Sequence, residues 1–100
     1  MTRASDWRPH ESGSLRGFFV LHLASGLVLR DCTFHRTATG AEWIGLPGKP
    51  QIDRDGQPRR DPQTGKLLYV AIVDVEHRAR PRFQAEALAA VHELIGETVP

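Results

Sequence analysis

The apolar residues of this chain change their period once, near residue 80, and that change limits what the chain can fold into. Upstream, "LRGFFVLHL" (15–23) and "LVLRDCTFH" (27–35) are short, strand-like runs around the Gly-containing turn "ASG", the pattern of a β-hairpin. Downstream, Phe83, Ala87, Leu88, Val91, Leu94 and Ile95 recur at three- and four-residue steps, the spacing of an amphipathic helix. Strands followed by one helix predict an α+β domain in which the helix covers one face of an antiparallel sheet.

Alternation in the first run sets Phe19, Leu21 and Leu23 against Phe18, Val20 and His22. In the second, it sets Val28, Arg30, Cys32 and Phe34 against Leu27, Leu29, Asp31, Thr33 and His35. Both faces are partly apolar, as expected if one covers a helix and the other meets a partner or a neighbouring sheet. After the turn "RTATG", "AEWIGLP" (41–47) reads as a third strand closed by Pro47, which cannot donate to a ladder. "LLYVAIV" (67–73) is nearly continuous apolar and reads as a fourth strand, the most buried of the set.

Pro81 suits the first helical position and disfavours helical geometry at Arg80, making Arg80 the boundary residue; Gly96 is the expected terminator. The expected order is β-β-β-β-α: an antiparallel meander, a long β-hairpin arm and one C-terminal amphipathic helix. The arm lies between strands three and four and holds roughly twenty polar and turn-forming residues, long for a connection in so small a domain.

A chain of 100 residues is one domain, and its 40% apolar content builds only a small core, for which dimerisation is a common remedy. Cys32 is the single cysteine, which excludes an internal disulfide and a Cys-rich zinc site; a lone thiol in an apolar run reads as core. No window reaches the apolar length of a membrane span, and "MTRASDWRPHESGS" has no apolar signal segment, so the expected location is cytoplasmic. Residues 1–14 read as a flexible tail that Trp7 alone could pin down, and residues 15–100 as the folded domain.

The net charge of +1 does not advertise a nucleic-acid binder, so the question becomes where the charges sit. Residues 49–82 hold eight cations (Lys49, Arg54, Arg59, Arg60, Lys66, Arg78, Arg80, Arg82) against five acids (Asp53, Asp55, Asp61, Asp74, Glu76). Beyond them Glu86, Glu93 and Glu97 stand without Lys or Arg. "HRARPR" at the helix entrance is the sharpest cluster. Cations there oppose the helix dipole by roughly 0.3–1 kcal/mol each. Two readings stay open: arginines that hold phosphates, or a charged loop that is simply solvated.

Other motifs fail on spacing. "DRDG" brings its glycine one residue early for a calcium loop and has no bidentate Glu six residues on; "GLPGKP" lacks the first glycine and the Ser/Thr of a phosphate loop. The five histidines have no metal-like spacing, and Cys32 and His35 fall on opposite strand faces. No cofactor, metal site or catalytic residue is expected. Trp43 and Tyr69 are possible base-stacking platforms, but aromatic residues on strands more often belong to the core.

Taken in order, "FFVLHL", "LVLRDCTF", "GAEWIGLPGK", "DGQPRRD", "YVAIV" and "RPRFQAEALAAVHEL" resemble the SpoVG family (stage V sporulation protein G), the small bacterial septation and sporulation regulators, over about residues 17–95. The resemblance implies a homodimer with sheets joined edge to edge, DNA or RNA binding, and a regulatory role. Through it, Arg80 and Arg82, with Lys49 as a further candidate, correspond to the family's binding positions. The polar segment 1–14 and the extra residues around "RRDPQTGK" depart from the family pattern. The β-β-β-β-α order is also shared, by analogy of fold alone, with coactivators that bind single-stranded DNA as dimers.

The leading expectation is therefore a homodimeric regulator in which Arg78, Arg80 and Arg82 hold phosphates and Lys49, Arg59, Arg60 and Lys66 extend the contact along the arm. No membrane or small-molecule substrate is expected. The rival is a protein-interaction module using the arm edge or the acidic helix face; an enzyme comes third.

Overall fold

The computed structural model describes residues 1–96. Glu97 of the acidic helix body and the end of the expected 15–100 domain lie outside the described residues. The order is β1 (Arg3–Ser12), β2 (Leu15–His22), β3 (Val28–Arg36), β4 (Glu42–Gly45), β5 (Gly48–Pro50), β6 (Tyr69–Ala71), a 3-10 turn at His77–Ala79 and α1 (Arg80–Leu94). Strands β1-β2-β3-β4 form an antiparallel meander, and β5-β6 form a separate two-stranded sheet. This is the expected α+β arrangement with its C-terminal helix.

The segment expected as a flexible tail is instead β1. Gly13 turns the chain at φ +60°, a left-handed value that glycine takes without steric cost, and Ser12 pairs with Leu15. Trp7 explains why so polar a strand stays in place. Its indole lies over Gly17 and meets Phe34 edge-on, with ring centroids 6.2 Å apart. Pro9 is tolerated because β1 is the outer strand and needs no second ladder.

The core lies between one sheet face and α1. Phe19, Leu21, Leu29, Cys32, Phe34 and Ile44 of the sheet meet Ala87, Ala90 and Val91 of the helix, and Phe83, Leu88, Leu94 and Ile95 pack around them. Small residues at 87 and 90 let the helix approach the sheet closely. Strict alternation fails in β3. Asp31 takes φ +58°, and the register slips between Phe19/Cys32 and Leu21/Leu29. Such a bulge inserts one residue, and Asp tolerates the left-handed conformation better than most. Leu29 therefore joins Cys32 and Phe34 in the core, while Val28 pairs with His22 and is exposed.

Two polar contacts fix α1 against β4. The Gln84 side chain accepts from the Ile44 N–H at 2.8 Å and donates to the Ile44 carbonyl at 3.0 Å. Further along, His92 Nε2 lies 3.1 Å from both carboxylate oxygens of Glu42, which also accepts from Arg36 at 2.7 and 2.9 Å. Burial alone would raise the Glu42 pKa, but the hydrogen bonds and charges of His92 and Arg36 outweigh it and hold the carboxyl below its usual range. Gly96, at φ +77°, ends the helix as expected.

The helix start differs from expectation. Arg80 is helical (φ −56°, ψ −48°), so Pro81 follows it as the second residue of α1. The cost of a helical residue before proline is offset by anchoring. The Arg80 N–H donates to Glu76, Nε donates to the Val75 carbonyl at 3.0 Å, and Nη2 meets Asp74 at 3.2 Å.

The fourth strand is also not the most buried. Only Tyr69–Ala71 is strand, paired with Gly48–Pro50, and all six residues are exposed. Tyr69, Val70 and Ile72 are 58%, 42% and 58% exposed, so the middle of this run serves a surface, and Val73 alone of the run packs against the core among the described residues.

Candidate nucleic-acid interface

Beyond β5-β6 the arm folds on itself as two tight turns. Asp53 Oδ1 accepts from the N–H groups of Asp55 and Gln57 at 2.9 Å each, closing the first turn at Gly56 (φ +78°). Asp61 Oδ1 accepts from Gln63 at 2.7 Å, closing the second at Gly65 (φ +72°). Main-chain bonds Arg59 to Gln51, Leu68 to Arg59 and Gln51 to Leu68 draw the three passes into one ribbon. The aspartates of "DRDGQPRRD" thus make turns, and they make no ion pair with the neighbouring arginines among the contacts resolved.

All seven expected cations are exposed. Lys49 stands on β5 opposite Val70. Arg59, Arg60 and Lys66 lie on the ribbon, where Arg60 donates to the Gly65 carbonyl at 2.9 Å. Arg78 lies in the 3-10 turn, Arg80 is anchored as described, and Arg82 pairs with Glu86 at 3.2 Å one helical turn on. Exposed pairs of this kind are worth about 0–1 kcal/mol, so a phosphate can displace them. The arm and helix-entrance groups do not converge on one point. Of the seven, Arg80 lines a groove of about 1170 Å³ whose walls include Tyr69 and Ile72 on one side and Arg30, Phe18 and His35 on the other; Lys49 stands beside it, next to Gly48 and opposite Val70.

The groove draws Phe18, Thr33 and His35 from the sheet face turned away from α1, and that face also carries Arg8, His10 and Trp43, of which the sequence pointed to Trp43 alone. Arg8 reaches from β1 to Asp31 on β3 at 2.7 Å, with its guanidinium over the Phe18 ring at 5.5 Å. His10 packs against the same ring. On the far strands His35 and Trp43, direct cross-strand partners, stack almost parallel (3°) with centroids 5.0 Å apart. Ser14 Oγ lies 3.2 Å from His35 Nδ1, and Thr33 Oγ1 lies 2.9 Å from Nε2. Burial lowers the His35 pKa, favouring the neutral ring. Trp43 is 39% exposed and Tyr69 more so; neither belongs to the core. The signal that could have found this face was the large aromatic Phe18 beside core Phe19.

Among the described residues no helix is long and apolar enough to cross a membrane, and no three His, Cys, Asp or Glu gather as a metal site would require. Comparison with protein-family models, with curated proteins and with solved structures gives no match. The likeness to SpoVG therefore rests on the residues quoted above.

Proposed function

We propose that this protein is a small cytoplasmic, homodimeric, nucleic-acid-binding regulator of the SpoVG kind, with no catalytic role. The observation that carries the reading is the outward presentation of Lys49, Arg59, Arg60, Lys66, Arg78, Arg80 and Arg82, all exposed on the arm and at the helix entrance, with Arg80 also lining the groove. Exposed cations spread over an arm and a helix entrance suit phosphates spaced along a backbone. Dimerisation draws support from the exposed Val70 and Ile72, on the strand face opposite Tyr69, since a small domain gains stability by covering such a patch with a second copy.

The test is a fluorescence-anisotropy titration with labelled single-stranded DNA, duplex DNA and RNA at two salt concentrations. Binding that weakens steeply with salt is expected, with a log–log slope near −0.9 per phosphate neutralised on duplex DNA. Arg59→Ala and Arg78→Ala are the informative variants, because Arg80→Ala would also release the Asp74–Val75 loop that Arg80 holds. Flat titrations for all three ligands at low salt would overturn the reading. The second reading, a protein-docking module, is favoured by the same exposed Tyr69, Val70 and Ile72. It predicts that Ile72→Glu abolishes partner capture while Arg78→Ala leaves it intact.

A further inference from the structure

The groove's aromatic lining is not accounted for by phosphate contact. Phosphates need cations, and the arm and helix entrance supply them; they have no use for Phe18, His35 or Tyr69 in the groove, or for Trp43, which stacks on His35 beside it. Nor does the fold need these rings in their observed positions. A direct cross-strand pair such as His35–Trp43 supports the sheet modestly, and an apolar or β-branched pair would support it as well. What distinguishes this pair is its presentation. The two rings are parallel and stacked, the histidine is held in place by hydroxyls at both ring nitrogens, and the indole remains partly open to solvent. Hydroxyls serve as donor or acceptor, so they fix the imidazole without charging it.

The surroundings fit the same ligand. Arg30 lines the groove beside Phe18, and Arg80 lines its other wall. The two carboxylates on the groove, Asp31 and Asp74, are each paired with an arginine, Arg8 and Arg80. Tyr69 is exposed on the arm wall, paired with Pro50 and next to Val70, the partner of Lys49. Open aromatic faces alternating with cations are the means by which proteins hold unpaired bases, since every base has a π-face but a duplex hides it within its stack.

We propose that this face binds single-stranded nucleic acid by stacking unpaired bases, one of them on Trp43 beside the groove and another on Tyr69 within it, so that the protein prefers single strands to duplex. The proposal rests on the nucleic-acid reading above and gives it a ligand form.

The experiment compares an oligothymidylate and a duplex of equal length in anisotropy titrations with the wild type, Trp43→Ala, Trp43→Phe and Arg78→Ala. Loss of one stacked base is expected to weaken oligothymidylate binding about tenfold in Trp43→Ala while leaving duplex binding unchanged. Trp43→Phe, which keeps a π-face on the same strand, should retain most of the affinity and shows that the effect is not a loss of fold. Arg78→Ala should weaken both ligands alike. The proposal is overturned if Trp43→Ala binds the single strand as tightly as the wild type, or weakens both ligands equally, while the wild type still binds; the phosphate reading then survives alone. A wild type that binds neither ligand overturns both.

Discussion

Gln84 gives its side-chain amide to both backbone groups of Ile44, accepting from the N–H at 2.8 Å and donating to the carbonyl at 3.0 Å. A helix residue thereby takes the place that a fifth strand would fill beside β4. An edge strand with free N–H and C=O groups is a template for unwanted pairing, and here that template is closed at its centre. Strand addition to the sheet at Ile44 is blocked, which leaves β1 and the arm as the edges where a second copy can join.

Removing that amide should be costly. Gln84→Ala leaves two partly buried backbone groups unpaired and is expected to destabilise the protein by about 1–3 kcal/mol. Thermal unfolding should show a Tm lower by roughly 5–20 °C for a domain of this size. An unchanged Tm would mean that water replaces the amide without loss.

The Glu42 cluster predicts a dependence on pH. Its folded pKa is below the unfolded value, so its stabilisation is complete above the ordinary carboxylate range and is lost as the pH falls through the folded pKa. Unfolding scans from about pH 6 to about pH 3 should therefore show a steeper fall in Tm for the wild type than for Glu42→Gln. At pH 7 the variant should already be weaker by about 1.5–3 kcal/mol, the range for hydrogen bonds to a charged group. Parallel curves would assign the acid sensitivity to other carboxylates.

Gly17 carries the docking of β1. A methyl group there would stand 2.5 and 2.7 Å from carbons of the Trp7 ring and 2.8 Å from the Arg8 carbonyl oxygen. Gly17→Ala must push the strand away, at an expected cost of about 1–3 kcal/mol. Hydrogen exchange should then lose protection over residues 3–12 while β3 and α1 keep theirs. Retained protection in β1 would show that Trp7 can rotate aside.

Cys32 should be chemically silent in the native state. It is fully buried, and burial, reinforced by the neighbouring Asp31 charge, pushes its pKa up to about 11. At pH 8 about one thiol in a thousand is ionised, and none is reachable. Iodoacetamide labelling should proceed only at the rate of unfolding and become rapid in guanidinium. Fast labelling of the native protein would contradict the packing of β3.

The sequence showed the core hairpin and the helix because their apolar residues keep period. Phe19, Leu21, Cys32, Phe34, Ala87 and Val91 are all where alternation or helical spacing puts them. β1 was illegible because Trp7 is its one large apolar residue, and its partner in packing is the absence of a side chain at Gly17. The bulge at Asp31 was hidden for a related reason: one left-handed residue shifts the face assignment of Leu29 and Val28 without changing composition. "LLYVAIV" misled in the opposite direction, since an apolar run reads the same whether it is buried by its own chain or left for a ligand. Of the interface, the cations were visible as charge clusters. Trp43 and Tyr69 were legible as stacking platforms but were weighed below a core reading, which their exposure overturns; Phe18 was not singled out.

The arm closes a problem of chain entropy. A long unstructured link between β4 and α1 would make their docking slow, because its ends must find each other from a wide distribution. The bonds at Asp53, Asp61, Gln51, Arg59 and Leu68 instead join residues close in sequence and can form early, before the sheet is complete. Once the two turns and the β5-β6 pairing are made, Gly48 and Ala71 are already neighbours. The helix then reaches the sheet through the few residues from Ile72 to Glu76, and a segment long in sequence acts in folding as a short hinge.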